Sequence, residues 1–381
     1  MPHSPNKVGR KLSECENTSC IMDVLFEEDL INAEQSKLLY SKPKLIDRVQ
    51  LSKVRGMLLG VPIGDALGSP FEGRPPSEEN FRMINDYLPE AHITDDTQLT
   101  FWTLEVFSER GWFDPKALAD RFSSEWIIGI GGSVRRFIRN YKDLGKPWYL
   151  SGVESAGNGA LMRLSPVVIP HLLNPTRELW SDAVITIYLT HNDRLAISSS
   201  VAFTNILWEL FMKDKPPEPE WWVEEYVSVA REVEGDFSRY SPRFGKFKSY
   251  SGPAWEFVEK TLEKALSSGW SLLDLNTAVG SGAYLLETVP MVLYTMMLYA
   301  DDPTKAITMA VSSSKDSDTV GAIVGYLVGA LHGVKAFPEH LLAPVLNGNL
   351  MPRTFVDLVV KVETFLMNPA KGNVLNGHIW R

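Results

Sequence analysis

The chain has few cysteines and no recognisable export signal. Its 381 residues include only two cysteines, Cys15 and Cys20. Two cysteines make neither a disulfide framework nor a complete zinc site, and they are typical of a reducing compartment. The first thirty residues lack the basic start and apolar run of a signal peptide. We therefore expect a cytoplasmic protein.

Long basic runs and membrane-length apolar runs are also missing. The formal net charge is −9, which argues against a nucleic-acid partner. The most hydrophobic stretch, Val320 to Val334, is shorter than the roughly 20 residues that span a bilayer. We expect a soluble protein with no membrane partner, in which this stretch forms a buried helix.

The spacing of apolar residues predicts an all-α fold. After residue 47, apolar residues recur at intervals of three and four, as at Leu99, Trp102 and Val106, and period-two strands are scarce. Residues 1–46 differ, because a polar start is followed by a short amphipathic pattern from Ile21 to Tyr40. We predict an N-terminal extension over residues 1–46 and a compact multi-helix domain over residues 47–381.

Two predicted helices carry glycine at every fourth position. The glycines are Gly56, Gly60, Gly64 and Gly68 in the first helix, and Gly321, Gly325, Gly329 and Gly333 in the second. This spacing places the glycines on nearly one face of each helix. Each interior glycine lowers helix stability by about 1 kcal/mol relative to alanine. We expect that close backbone approach requires them, and that both helices lie at the centre of the domain.

An acidic motif lies beside each glycine-striped helix. Thr94-Asp95-Asp96-Thr97 precedes a helical run, and Asp316-Ser317-Asp318-Thr319 begins the second striped helix. Either motif alone is explained as a helix cap, because acids are favoured in a first turn. Together they place four carboxylates near an apolar core, where uncompensated charge is expensive. Oxygen ligands favour a pair of magnesium, manganese or calcium ions over zinc, at a separation of roughly 3.5–4 Å.

Two further acids belong to the same constellation. Asp65 lies between the third and fourth glycines of the first stripe, and Glu72 follows in a loop. Asp65 is either a buried hydrogen-bond acceptor or a support for the metal ligands. Glu72 is free to reach water at the metals.

Five motifs, in order, resemble those of the ADP-ribosylglycohydrolases, most closely the dinitrogenase reductase-activating glycohydrolase type. They are Gly56–Gly68, Thr94–Thr97, Gly157–Arg163, Thr190-His191 and Asp316–Thr319. The resemblance covers about residues 47–335. It implies an all-α fold with a binuclear magnesium centre, in which manganese can substitute. It also implies hydrolysis of the bond between ADP-ribose and a modified protein side chain, most often arginine.

The resemblance also implies roles for single residues. The implied metal ligands are Thr94, Asp95, Asp96, Asp316, Asp318 and Thr319. The implied substrate-binding residues are Ser155, Gly157, Asn158 and Gly159 around the diphosphate, His191 beside the ribose and Tyr284 near the adenine. The catalytic candidates are Glu72, Asp96 and Asp316. On their own, Gly-Asn-Gly is more often a turn and a lone histidine is usually structural. The chain departs from the family pattern at Ala283, Ser314 and Lys315, where glycine is common.

The sequence thus predicts a magnesium-dependent hydrolase that removes ADP-ribose from modified proteins. Some bacterial relatives confer immunity to ADP-ribosylating toxins, which adds a toxin as a candidate partner. One alternative is a non-catalytic protein that binds ADP-ribose or a toxin, with residues 1–46 as a partner-binding arm; the same segment could instead pack on its own domain. A second alternative is a two-metal phosphohydrolase, or an enzyme for another ADP-ribosyl linkage.

Overall fold

Helices dominate the chain. The computed structural model describes residues 5–84, 86–110 and 112–367. Within these residues no strand forms, and three isolated bridges are the only β-type pairings, so the all-α prediction is confirmed. The helices are α1 (Pro5–Ser13), α2 (Thr18–Glu27), α3 (Leu51–Gly68), α4 (Glu78–Met83), α5 (Asp95–Arg110), α6 (Pro115–Phe122), α7 (Gly132–Ile138), α8 (Glu178–Tyr188), α9 (Arg194–Met212), α10 (Pro219–Glu234), α11 (Ala254–Ser267), α12 (Leu272–Val279), α13 (Leu285–Tyr299), α14 (Pro303–Ser313), α15 (Ser317–His332), α16 (Glu339–Leu346) and α17 (Arg353–Met367).

Tighter helical turns connect several of these helices. A π-helical turn extends α7. The 3-10 turns are Leu38–Tyr40, Ser69–Phe71, Trp148–Leu150, Asn158–Arg163, Ser165–His171 and Val334–Ala336.

The two glycine-striped helices, α3 and α15, are antiparallel and in backbone contact. A Cβ atom built on Gly60 would lie 2.0 Å from the carbonyl oxygen of Gly325, and one on Gly64 would lie 2.0 Å from that of Gly321. No side chain fits in this space. The predicted reason for the glycines, close backbone approach, is therefore confirmed.

The most apolar helices lie inside the domain. The stretch from Val320 forms most of α15, whose residues from Ser317 to Leu331 are all buried, as predicted. By length and composition α9 could cross a membrane, but 83% of its apolar window is buried within the protein. That burial is typical of a core helix in a globular domain.

The N-terminal segment packs on the domain. In α2, Met22 and Leu25 are fully buried, and the Thr18 hydroxyl donates to Asp182 of α8 at 2.5 Å. Further along, the indole N–H of Trp208 in α9 donates to the carbonyl of Lys44 at 2.8 Å. Of the two interpretations of residues 1–46, these contacts favour packing on the chain's own domain. The end of the predicted domain, residues 368–381, lies outside the described residues.

The two cysteines form one disulfide, which the sequence analysis did not predict. Cys15 and Cys20 are bonded, with their Cα atoms 5.4 Å apart. The bond closes the turn between α1 and α2, where five residues of separation bring the two side chains together. A single local bond is not a disulfide framework, and the cytoplasmic location stays a prediction.

Candidate metal centre

The contact between α3 and α15 brings the acidic motifs to one place. Asp65 lies in the last turn of α3, and Asp318 lies in the first turn of the antiparallel α15. At this end the backbones still touch, because a Cβ atom on Gly68 would lie 2.5 Å from the Cα atom of Asp318. The helix α5 begins beside them at Asp95.

Five carboxylates form two overlapping groups that could each hold a metal ion. One group is Asp65, Asp96 and Asp318, and the other is Glu72, Asp316 and Asp318. Within each group, one oxygen from every carboxylate lies within 4.8 Å of the others. Asp318 belongs to both groups, so two cations bound here would be neighbours that share one carboxylate.

Asp65 fixes the backbone of the Thr94–Thr97 motif. Its carboxylate accepts hydrogen bonds from the backbone N–H groups of Thr94 at 2.8 Å and Thr97 at 3.1 Å. It also accepts from the hydroxyls of Thr94 at 2.9 Å and Thr97 at 2.5 Å. Both Asp65 oxygens are therefore used, which favours the interpretation of this residue as a support for the ligands.

Among the described residues, one oxygen of the buried Asp96 carboxylate is left without a hydrogen-bond partner. Asp96 is 1% exposed, and its Oδ1 atom has no hydrogen-bond partner within the described residues. Burial, followed by repulsion from Asp65, Asp95 and Asp316, raises the pKa of Asp96 well above its usual value. Burial likewise raises the pKa of Asp318. Because a buried carboxylate is stable only when it is paired, protonated or bound to metal, this donor set fits a divalent cation.

Asp316 does not act as a helix cap, although it occupies the N-cap position of α15. Its side chain makes no capping hydrogen bond. Instead it accepts a hydrogen bond from the side-chain amide of Asn158, which also donates to Thr288 at 3.0 Å. The interpretation of this motif as a simple cap is therefore wrong for Asp316.

Most of the predicted site residues line one cleft. These are Glu72, Asp95, Asp96, Gly157, Asn158, Gly159, His191, Asp316, Asp318 and Thr319. Glu72 is exposed, whereas Asp95 and Asp96 are buried. Asp95 lies outside both metal-binding groups and accepts a hydrogen bond from the N–H of Gly131 at 3.3 Å.

The other three predicted site residues lie next to the cleft but do not line it. The hydroxyl of Thr94 lies 3.0 Å from Oδ2 of Asp96 and so supports that carboxylate. The hydroxyl of Ser155 accepts from the N–H of Gly157 at 3.3 Å and holds the glycine loop. Tyr284 pairs with Gly157 through an isolated backbone bridge at the cleft edge.

His191 presents a neutral imidazole to the cleft. Burial, with smaller contributions from Arg163 and Arg136, lowers the pKa of His191 to about 3. The Thr190 hydroxyl accepts from Arg163 and lies 2.8 Å from Nδ1 of His191, so it can donate its own proton to Nδ1. The imidazole proton then resides on Nε2, which is 3.3 Å from the position of a Cβ atom on Gly157.

Gly131, Gly132 and Ser133 belong to the cleft, although the sequence did not single them out as site residues. All three residues line the cleft. The Ser133 hydroxyl donates to Ser155 at 2.8 Å, which joins this turn to the predicted diphosphate loop. A Gly-Gly-Ser run at the start of a helix is a weak signal for an oxyanion site, and it could have singled out this turn.

The departures from the family pattern lie around the same cleft. The carbonyl of Lys315 accepts from the N–H of Gly73 at 2.7 Å and so holds the loop that carries Glu72. Ser314 is buried, and Ala283 lines the cleft. Side chains replace glycines here, but the backbone still positions Glu72.

Known proteins share both the sequence and the fold. The family model for ADP-ribosylglycohydrolase matches residues 47–365. The chain belongs to the ADP-ribosylglycohydrolase family. It is 25% identical to the ADP-ribosylarginine hydrolase Tri1 of Pseudomonas putida, over 77% of this chain and 74% of that protein. It is also 25% identical to the ADP-ribosyl-[dinitrogen reductase] glycohydrolase of Rhodospirillum rubrum, over 76% of this chain and 88% of that protein.

A solved structure agrees in fold. It is described as an ADP-ribosylglycohydrolase-related protein complex, with a TM-score of 0.56 and 24% identity over 82% of this chain and 98% of that one. Together these relationships identify an enzyme of the ADP-ribosylglycohydrolase family, a hydrolase that removes ADP-ribose. The family is metal-dependent, and the two acidic groups could bind metal.

Proposed function

We propose that this glycohydrolase uses two magnesium ions, or manganese in their place, to remove ADP-ribose from modified arginine side chains of proteins. One observation carries the proposal. The two sets of three acidic residues that could each hold a metal ion have the buried Asp318 in common, and Asp318 lines the cleft. Within the part of the chain that the structure describes, Oδ1 of Asp96 has no hydrogen-bond partner, which supports a cation bound to this carboxylate. Oxygen-only ligands favour magnesium or manganese over softer metals.

Each side chain then has a defined task. Divalent cations held by Asp96, Asp316 and Asp318 would polarise the ribose hydroxyls and lower the pKa of a nearby water. Glu72 is exposed, and its carboxylate lies within 4.8 Å of those of Asp316 and Asp318, so it is placed to take the proton of the attacking water. Asn158 holds Asp316 in place, and the Nε2–H of His191 donates to a ribose hydroxyl.

The reaction is a hydrolysis at the anomeric carbon of the ribose. The water oxygen bonds to this carbon while the bond between the carbon and the guanidine nitrogen breaks, and the electrons of that bond go to the nitrogen. Glu72 takes one proton of the water and passes it to the leaving nitrogen, so arginine leaves as a guanidinium and Glu72 is a carboxylate again. Positive charge that develops on the ribose is stabilised by the neighbouring carboxylates.

Two observations support arginine as the linkage. A relative that is 25% identical is named an ADP-ribosylarginine hydrolase. In addition, Glu72 is the exposed acid at a cleft lined by Asp95, Asp96, Asp316 and Asp318, and an acidic opening attracts a guanidinium.

The proposal extends to the cellular setting. Removal of ADP-ribose from arginine reverses the modification that an ADP-ribosyltransferase makes. A toxin with ADP-ribosyltransferase activity is therefore a candidate source of substrate in the cytoplasm. The net charge of −9 supports the absence of a nucleic-acid partner, and the burial of α9 supports the absence of a membrane partner.

Release of ADP-ribose from an arginine-modified protein, followed by mass spectrometry across a magnesium titration, tests the proposal. Asp316→Ala should lower kcat/KM by more than about 100-fold, because loss of a ligand exceeds the 10–100-fold effect of losing a residue that supports one. Serine-modified protein and free nucleotides serve as alternative substrates.

Asp302→Ala is the matched control. Asp302 is the N-cap of α14 and donates no ligand to the cleft, but its side chain accepts from the N–H of Lys305. This variant should lose about 1 kcal/mol of stability and keep its activity. Unchanged turnover in Asp316→Ala, or turnover without any divalent cation, would refute the metal mechanism. Faster release from serine would refute the arginine assignment.

A further inference from the structure

The substrate that the proposed function requires is an anion, and it must bind in an acidic cleft. The diphosphate of ADP-ribose carries negative charge, whereas the cleft is lined by Glu72, Asp95, Asp96, Asp316 and Asp318. The proposed metal ions would neutralise much of the carboxylate charge beside the ribose, and backbone N–H groups of the glycine loop can bind phosphate oxygens. A cationic side chain at the cleft edge would add a charge partner for the diphosphate itself.

Arg243 lies beside Gly282 and Tyr284, the neighbours of the cleft-lining Ala283, and a buried acid holds it there. It lies in the connection between α10 and α11, and its Nε atom donates to Oε1 of Glu287 at 2.7 Å. The Glu287 side chain is 1% exposed, whereas that of Arg243 is 53% exposed. Oε2 of Glu287 accepts from the N–H of Gly282 at 2.8 Å, which fixes the carboxylate.

This arrangement uses one end of the guanidinium and leaves the other end for a ligand. No hydrogen bond or ion pair joins Nη1 or Nη2 of Arg243 to the residues that the structure describes. A guanidinium that is anchored through Nε loses little further freedom when it binds an anion through both Nη atoms.

The free end lies beside the implied adenine and diphosphate contacts. The guanidinium carbon is 5.2 Å from the ring centroid of Tyr284. Its Nη2 atom is 3.2 Å from the position of a Cβ atom on Gly282. The next residue, Ala283, lines the cleft, and Tyr284 pairs with Gly157 of the glycine loop.

We propose that Arg243 is a substrate-binding residue. Its Nη groups bind the diphosphate of ADP-ribose, while Glu287 and Tyr284 hold the guanidinium in position. This inference rests on the proposed function, because it takes ADP-ribose as the ligand. It assigns a cationic side chain to a cleft whose other proposed cations are the metal ions.

Calorimetric binding of ADP-ribose to the metal-loaded protein, at low and high salt, tests the proposal. Arg243→Ala should weaken binding at least about tenfold, the loss expected for a charge-assisted hydrogen bond. Salt should weaken binding to the variant less than binding to the wild type, because a screened charge pair has been removed. KM should rise with little change in kcat, and Arg243→Lys should recover part of the affinity.

Two further variants separate binding from structure. Arg243→Ala/Glu287→Gln removes the guanidinium without leaving a buried carboxylate unpaired, and it should show the same loss as Arg243→Ala. Arg231→Ala is the matched control, because Arg231 is also bonded through Nε to a carboxylate, Asp236, at 3.2 Å and lies 4.7 Å from the ring of Trp255. That variant should bind ADP-ribose as the wild type does.

Three outcomes would overturn the inference. Unchanged affinity in Arg243→Ala would show that Arg243 only neutralises Glu287. A loss of affinity with an unchanged salt dependence would show that it acts on the adenine and not on the diphosphate. Normal affinity in the double variant would attribute the loss in Arg243→Ala to the unpaired carboxylate of Glu287. In all three cases a wild-type enzyme that still hydrolyses arginine-linked ADP-ribose leaves the proposed function intact, whereas a wild type that binds no ADP-ribose refutes both.

Discussion

Asp65 is a buried residue that positions the other acidic residues of the site through hydrogen bonds to Thr94 and Thr97. It is fully buried at the end of α3, and burial is the main cause that raises its pKa. Four hydrogen bonds from Thr94 and Thr97 oppose this rise. These bonds fix the Thr94–Thr97 backbone, whose Asp96 faces the cleft.

Asp65→Asn should lower the affinity for magnesium about 10–100-fold, the range for residues that orient metal ligands. An amide keeps one acceptor oxygen, which can still accept from both N–H groups because these share one oxygen of Asp65. Its nitrogen cannot accept from the Thr94 hydroxyl, which bonds to the other oxygen, and the carboxylate beside Asp96 and Asp318 is lost. Isothermal titration with magnesium measures the loss. Asp182→Asn is the control, because Asp182 is also a buried acceptor, from Thr18 and His171, but lies away from the cleft. Equal magnesium affinities in Asp65→Asn and the wild type would show that Asp65 has no part in metal binding.

The acidic residues of the site could be predicted from the sequence, but their hydrogen bonds could not. Asp95, Asp96, Asp316 and Asp318 stand out because two motifs together place four carboxylates near an apolar core, where uncompensated charge is expensive. The bond between Asn158 and Asp316 joins residues that are 158 positions apart, and no local pattern encodes such a contact. The same applies to Arg243, whose partner Glu287 is 44 positions away.

The metal site depends on the close contact between the helices α3 and α15. These two helices carry Asp65 and Asp318 on facing ends, so their separation sets the distance between the two carboxylates. The four-residue glycine repeat predicted this contact because it has one common physical cause. The turn at Gly131-Gly132, by contrast, has the composition of an ordinary loop, and its place in the cleft follows only from the packing of α7.

Gly60→Ala should destabilise the protein by about 3 kcal/mol or more, at the upper end of the effect of overpacking. The added methyl would lie 2.0 Å from the Gly325 oxygen, and both sides of the contact are backbone. The gain of about 1 kcal/mol in helix propensity is too small to offset this clash. Chemical denaturation measures the loss of stability, and magnesium affinity should fall with it.

In the control, Gly132→Ala, nothing lies within 4 Å of the new methyl, so stability should change by less than about 1 kcal/mol. Wild-type stability in Gly60→Ala would mean that the two helices are further apart in solution.

At the scale of the whole molecule, the N-terminal segment is part of the folded unit. The family match begins at residue 47, yet the preceding residues cover α8 and α9. The sequence analysis could not decide between a partner-binding arm and a packed segment. The amphipathic pattern from Ile21 to Tyr40 fits either, because an apolar face does not specify which surface will bury it.

A pair of leucine substitutions tests whether the segment packs in solution. Leu39 is fully buried and Leu45 is 62% exposed, and both belong to the N-terminal segment. Leu39→Ala should lower the free energy of unfolding by about 2–5 kcal/mol, because it removes buried methyl groups and leaves a cavity. Leu45→Ala should change it by no more than about 0.5 kcal/mol. Denaturant titration of the full-length chain measures both values. If the two variants were equally stable, the segment would be detached from α8 and α9, and a partner-binding arm would again account for its apolar face. If only Leu39→Ala unfolds more easily, that face is already occupied by the chain's own domain.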